Sequence, residues 1–194
     1  MSYLPIKDYG LIGNMRTAAL VGQNGSIDWL CLPHFDSPSV FAAILDDEKG
    51  GRFEITAVDT DISSKQLYWP DTNVLVTRFY AVSGVAEILD FMPAGLPSES
   101  PWHHQLIRRV RVAQGTMEFR VRCHPAFNYA RTSHHTQVTK QGASFHSPDL
   151  SLGLATDIPL TPDERGVHSV FALQEGQSAV FVLRPLAADG SCGP

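Results

Sequence analysis

Tryptophans with acids and amides near them are the most suggestive chemistry in this sequence. Trp29 follows Asp28 and lies in the same segment as Asp36, Trp69 is trailed by Asp71 and Asn73, and Trp102 is the third of its kind. A sugar ring offers a C–H face that an aromatic platform covers, and hydroxyls that fixed carboxylates or amides hold. The competing explanation is that tryptophan in a β-sheet protein fills the core. Other chemistries fare worse. The eight histidines include the neighbours His103-His104 and His134-His135, but adjacent strand residues point to opposite faces and cannot chelate from one side. No His-Glu-x-x-His or Cys-x-x-Cys spacing is present, so neither a metal nor any other cofactor is expected. A Gly-x-Ser-x-Gly elbow is missing too, and Gly13-Asn14 and the 22–25 segment read as turns rather than phosphate cradles.

Five of the eleven arginines, Arg108, Arg109, Arg111, Arg120 and Arg122, cluster in one segment. A single-stranded nucleic-acid face needs aromatics interleaved on the same side, and the net charge is −5. No nucleic-acid partner is expected, and the cluster reads as a solvated or domain-facing sheet surface. Three cysteines, Cys31, Cys123 and Cys192, are an odd number without paired spacing. Free thiols in a reducing compartment follow. With no apolar run of about 18 residues and no basic-then-apolar start, no membrane partner and a cytoplasmic location are expected.

The elements that must position these residues are short alternating runs joined by glycine turns. Five hairpins are predicted. Residues 17–21 and 26–31 flank a type I′ turn at Asn24-Gly25, and 73–82 and 85–92 flank Ser83-Gly84. Residues 106–112 and 117–123 lie either side of Gln114-Gly115, 135–140 and 143–145 of Gln141-Gly142, and 167–174 and 177–183 of Glu175-Gly176. In the third, Leu106, Arg108, Val110 and Val112 share a mostly apolar face with Met117, Phe119, Val121 and Cys123, and the remaining arginines take the other face. The last carries apolar residues on both faces, as a central, covered pair would. Asp36-Ser37-Pro38 followed by Val40, Phe41, Ile44 and Leu45 predicts one short helix near residues 38–48, ended by Gly50-Gly51. The fold class is therefore all-β, a large antiparallel, supersandwich-like β-sandwich, over residues 1–186. Residues 187–194 read as the start of a linker or a cut end.

Several blocks in order carry a resemblance. They are Asp8-Tyr9-Gly10-Leu11-Ile12-Gly13-Asn14-Met15-Arg16-Thr17-Ala18-Ala19-Leu20-Val21, Gly25-Ser26-Ile27-Asp28-Trp29-Leu30-Cys31-Leu32-Pro33 and Phe35-Asp36-Ser37. Further on come Tyr68-Trp69-Pro70-Asp71-Thr72-Asn73-Val74-Leu75, Asp90-Phe91-Met92-Pro93, Arg108-Arg109-Val110 and Pro125-Ala126-Phe127-Asn128-Tyr129. Together they resemble the N-terminal part of prokaryotic glycoside hydrolase family 15 proteins, the glucoamylase, glucodextranase and trehalase-like group.

That resemblance implies a β-sandwich preceding an (α/α)6 barrel that hydrolyses α-glucosidic bonds with inversion, using two barrel glutamates as acid and base. The seven glutamates here match no catalytic motif of the family, and no barrel-type run of helices is present, so no catalytic residue carries over. The implied role is a non-catalytic domain. Its partner is the C-terminal (α/α)6 domain, through which the substrate, trehalose or an α-glucosidic oligosaccharide, is met. The 32–37 loop is expected to project His34, Phe35 and Asp36, with Trp29 behind them, onto the rim of the substrate pocket. The alternatives are that Phe35 is core and Asp36 caps the helix with Ser37, and that Arg16 and Asp28 form a structural pair. A stand-alone carbohydrate-binding module is the second functional class. An apolar docking surface on one sheet, and self-association through it, are also expected.

Overall fold

In the computed structural model, which describes residues 3–95, 100 and 104–186, Leu106–His124 is one unbroken strand, β9, and both layers of the fold are built on it. The other strands before it are β1 (Tyr9–Gly13), β2 (Ala18–Gly22), β3 (Ser26–Cys31), β4 (Ser39–Phe41), β5 (Arg52–Ala57), β6 (Ser63–Tyr68), β7 (Leu75–Ala81) and β8 (Gly84–Phe91). After it come β10 (His135–Thr139), β11 (Gly142–His146), β12 (Ser151–Ala155), β13 (Thr161–Asp163), β14 (Gly166–Gln174) and β15 (Ser178–Pro185). One layer runs β1-β2-β3-β5-β9-β14-β13 with β4 beside β3, the other β6-β7-β8-β9-β15-β12-β11-β10, and all pairs are antiparallel. The expected all-β sandwich is what forms. No helix among the described residues is long and apolar enough to cross a membrane.

β9 corrects the central hairpin of the sequence reading. Leu106, Arg108, Val110 and Val112 are buried, and so are Met117, Phe119, Val121 and Cys123, as the two predicted inward faces require. A hairpin at Gln114-Gly115 and a single strand with one extra residue give the same change of phase. Here Ala113 is bulged out between the pairs Ala86↔Val112 and Val85↔Gln114. Gly115 takes φ +77°, and a Cβ there would lie 2.2 Å from the Ser83 carbonyl oxygen. The bend sends the first half of β9 into one layer and the second half into the other.

The last predicted hairpin is corrected in the same way. β14 pairs with the second half of β9 and β15 with the first, not with each other. Their turn lies on the β9 bend, with the Gly176 N–H donating to the Val112 carbonyl at 3.0 Å and the Glu175 N–H to that of Gly115 at 2.8 Å. Val170 and Val180 are consequently exposed rather than covered. The other turns hold with small shifts. At 22–25 only Gly25 is left-handed, so the turn is not type I′. Gly84 and Gly142 open the returning strands, opposite Ala81 and Thr139, instead of sitting within their turns.

The helix near residues 38–48 does not form. Ser39–Phe41 is strand β4 on β3, and Val40, Phe41, Ala42 and Ala43 are buried in succession, which a one-sided helix does not allow. Leu45, assigned to the apolar stripe, is exposed. Between the layers Phe53 of β5 meets Phe181 of β15 edge to face at 6.3 Å. Arg108 is fully buried there and donates to the Phe53 and Gly25 carbonyls at 2.5 and 2.7 Å. The arginine cluster thus divides. Arg120 and Arg122 share Glu54 on the outside of one layer, Arg111 stands opposite Glu87 in the other, and Arg108 lies inside. Tyr68 joins the edge strands β6 and β1, its hydroxyl accepting from the Leu11 N–H at 2.9 Å and donating to the Leu11 carbonyl at 2.7 Å.

Candidate functional site

One end of the sandwich gathers the 14–17 turn, the 32–38 loop, the 69–74 loop and the 125–132 turn. Hydrogen bonds that begin in the sequence itself tie them together. Asn14 Oδ1 accepts from the N–H groups of Arg16 and Thr17 at 3.1 and 3.0 Å, closing the turn after β1. Thr17 Oγ1 then donates to the Cys31 carbonyl, and the Phe35 N–H donates to the Arg16 carbonyl at 2.9 Å. Within the 32–38 loop, His34 N–H donates to Ser37 Oγ at 3.0 Å and Ser37 N–H to the His34 carbonyl at 3.1 Å. Asn73 Nδ2 donates to the Gly13 carbonyl at 2.7 Å and fixes the 69–74 loop to the same end.

With its backbone held in this way, the Phe35 ring is 61% exposed, so it is not a core residue. Ser37, not Asp36, closes the loop, and Asp36 stands exposed beside it. His34 is exposed and meets His104 edge to face, with ring centroids 5.5 Å apart. Met15 and Trp69 are exposed at the same end. Trp102 and His103 lie outside the described residues, as does the 187–194 tail.

Trp29 is half-buried, and its ring faces Tyr129, with centroids 6.4 Å apart. Tyr129 was not singled out as a site residue by its sequence. It belongs to a single left-handed turn, with Asn128 at φ 52°, Tyr129 at φ 57° and Ala130 at φ 61°. For L-residues each such position costs roughly 1–2 kcal/mol, and glycine is the residue that normally takes it. None of the three is glycine, so no composition signal marks the turn. Backbone bonds hold it, Ala130 N–H to the Ala126 carbonyl at 3.1 Å and Thr132 N–H to that of Phe127 at 3.2 Å, while Phe127 is buried as its anchor.

Asp28, next to Trp29, is occupied elsewhere. It accepts from the Tyr9 hydroxyl at 2.7 Å and Ser26 Oγ at 2.5 Å, and Arg52 Nε lies 3.9 Å away. The pairing with Arg16 is therefore replaced by one with Arg52. Burial, reinforced by the carboxylate of Asp28, pushes the Tyr9 phenol well above its ordinary value. Among the described residues the three buried carboxylates each have a partner: Asp28 as above, Glu54 with Arg122 at 2.6 Å, and Asp90 with Arg108 at 2.7 Å. The histidines form no metal cluster among the described residues. His124 and His168 both meet Asp163 Oδ2, at 2.9 and 3.2 Å. Burial holds His124 and His134 below the usual imidazole value.

A family model described as trehalase-like, N-terminal, matches residues 2–157. The trehalase of Thermoplasma volcanium is 37% identical over 160 residues, covering 81% of this chain and 26% of that protein. That of Mycolicibacterium smegmatis is 34% identical over an alignment of 206 positions, covering 92% of this chain and 30% of that protein. Trehalase 1 of Sulfolobus acidocaldarius is 39% identical over 158 residues, covering 80% and 26%. The chain spans between 26% and 30% of the length of these relatives.

Proposed function

Since the chain belongs to the trehalase-like N-terminal domain family, we propose that it is the non-catalytic sandwich of an inverting α-glucosidic hydrolase. Its partner is a C-terminal (α/α)6 catalytic domain, and trehalose is the preferred substrate of the pair, as the names of the relatives suggest. The domain packs on the barrel, stabilises it and lends it His34, Phe35, Asp36 and Trp29 at the pocket rim. No cofactor is part of this role. A cytoplasmic setting fits the free, buried thiols of Cys31 and Cys123.

The exposure of Phe35 carries the reading. A large aromatic is held out of the core by a loop whose backbone is closed through Arg16 and Ser37. Met15, Trp69 and Tyr129 are exposed at the same end, which suits an interface better than a free surface. The partnered state of every buried carboxylate among the described residues supports the non-catalytic part.

The carbohydrate-binding module has one observation in its favour. A groove of about 750 Å3 crosses the outside of β10, β11, β12 and β15, lined by Gln137, Ser144, His146 and Arg184 among others. Its size suits a small ligand, but no aromatic platform lines it, so the domain reading stands ahead. Glucose release from trehalose by the chain alone, and by the chain joined to the catalytic part of a trehalase relative, tests the proposal. Activity is expected only in the joined protein, with Phe35→Ala raising KM. Release by the chain alone overturns the reading.

A further inference from the structure

Strand pairing joins three polar residues on the outer face of the β10–β11–β12–β15 sheet. Ser144 and His146 are two apart on β11 with the buried Phe145 between them, so both point outward. His146 is paired with Ser151 of β12. Its Nε2 lies 2.9 Å from Ser144 Oγ, and its Nδ1 lies 3.1 Å from Ser151 Oγ. The turn between the two strands is closed twice, the Ser147 N–H and hydroxyl both donating to the Leu150 carbonyl, at 3.2 and 2.8 Å. The Leu186 N–H donates to the Ser151 carbonyl at 2.8 Å and ties the hairpin to the end of β15. The imidazole is thus held at both nitrogens on a braced frame.

All three side chains belong to partly exposed residues, and Ser144 and His146 line the groove of about 750 Å3. In the row that crosses the sheet at Ser144, Gln137 stands on one side and Gly153 on the other, with Arg184 beyond Gly153. Gln137 and Arg184 line the groove too and bring N–H donors to that row. Gly153 has no side chain of its own. A Leu186 methyl fills its place, 2.7 Å from where a Cβ would stand, and offers an apolar contact beside the serine. A hydroxyl within roughly 2.6–3.2 Å of an imidazole whose other nitrogen is held by a third group is the arrangement of an activated nucleophile.

We propose that Ser144 is a nucleophile toward short carboxylic esters, with His146 as its base and Ser151 as the residue that positions the ring. In the tautomer protonated at Nδ1, the imidazole donates to Ser151 Oγ and takes the Ser144 proton at Nε2. The serine oxygen bonds to the carbonyl carbon, the bond from that carbon to the alcohol oxygen breaks, and Nε2 passes the proton to the departing alkoxide. Water then attacks the acyl-serine with the same base, releasing the carboxylic acid and restoring Ser144. A hydroxyl where a triad has a carboxylate stabilises the imidazolium weakly, so the reaction is slow. This ester chemistry is separate from glycosidic cleavage and does not rest on the domain reading above.

Labelling of the chain with an alkyl fluorophosphonate, in which the serine oxygen displaces fluoride at phosphorus, tests the attack alone, and peptide mass spectrometry locates the adduct. One adduct on Ser144 is expected, absent in Ser144→Ala and formed about 100-fold more slowly in His146→Gln, the low end of what a general base supplies. Ser151→Asp gives Nδ1 a carboxylate partner. It is expected to speed labelling at pH 7 and to raise the midpoint of the pH profile, a shift that a merely structural serine does not produce. No adduct, an adduct only on other residues, or a rate indifferent to His146→Gln each overturn the proposal. An unmoved pH midpoint overturns the part given to Ser151.

Discussion

Arg108 Nε and Asp90 Oδ1 lie 2.7 Å apart at the centre of the sandwich, with no part of either side chain exposed to solvent. The guanidinium also sits 4.8 Å from the centre of the Phe53 ring and donates to two carbonyls of the opposite layer. A single cation therefore fastens β8, β5 and the 22–25 turn to β9.

Removing one partner leaves the other charged and dry, which costs about 3–5 kcal/mol, more than a typical core truncation. Asp90→Ala is expected to lower the midpoint of urea unfolding by that equivalent. Asp90→Leu combined with Arg108→Met is expected to lose much less, since both charges leave together. Equal losses in the two variants would show that the pair acts through packing alone.

Acid should weaken the fold as soon as the pH enters the imidazole range. Burial depresses His124 and His134 in the folded chain, although Asp163 pulls His124 the other way. Their contribution is complete above the unfolded value of about 6.5 and declines as the pH falls toward the depressed folded values, because the unfolded chain takes up protons first. Asp163 is itself held low, against its burial, by the Arg165 N–H and by His124, so its own contribution fades only in stronger acid. His134 lies between the rings of Phe127 and Phe145, and His134→Phe keeps those contacts. Urea midpoints measured at pH 7.5 and pH 5 are expected to fall less in that variant than in the parent. Identical declines would contradict the assignment.

Ala130 tests the strained turn without removing a side-chain contact. Glycine adopts its φ of 61° freely, whereas alanine does not. Ala130→Gly is expected to stabilise the chain by up to about 1 kcal/mol, after allowing for the greater freedom of glycine in the unfolded state. Calorimetric melting checks the sign, and a lower Tm would refute the strain.

The sandwich was legible in the sequence because alternation reports which residues face inward, and those residues do face inward. Which strands pair was not. Gln114-Gly115 could close a hairpin or bend a strand, since both reverse the inward phase, and only the partners in each layer decide between them. The segment near residues 38–48 misled for a related reason: Val40, Phe41 and Ile44 suit a helix stripe, but β3 offers an edge that captures Ser39–Phe41. At the site, Pro33 and Pro38 punctuate the loop holding Phe35, whereas glycine is what a left-handed turn would ordinarily advertise. The left-handed residues Asn128, Tyr129 and Ala130 include none, and their hand is held by the backbone bonds of the turn and its buried anchor Phe127.

The bond from Arg108 to the Gly25 carbonyl spans 83 residues of chain. At a synthesis rate of about 5–20 residues per second, Gly25 leaves the ribosome on the order of ten seconds before its partner exists. Through that interval β1 to β5 are an unfinished half-layer, with Ile27 and Phe53 bare to water or to a chaperone. The nascent N-terminal half therefore cannot complete its own core, and its final folding is timed by the arrival of β9.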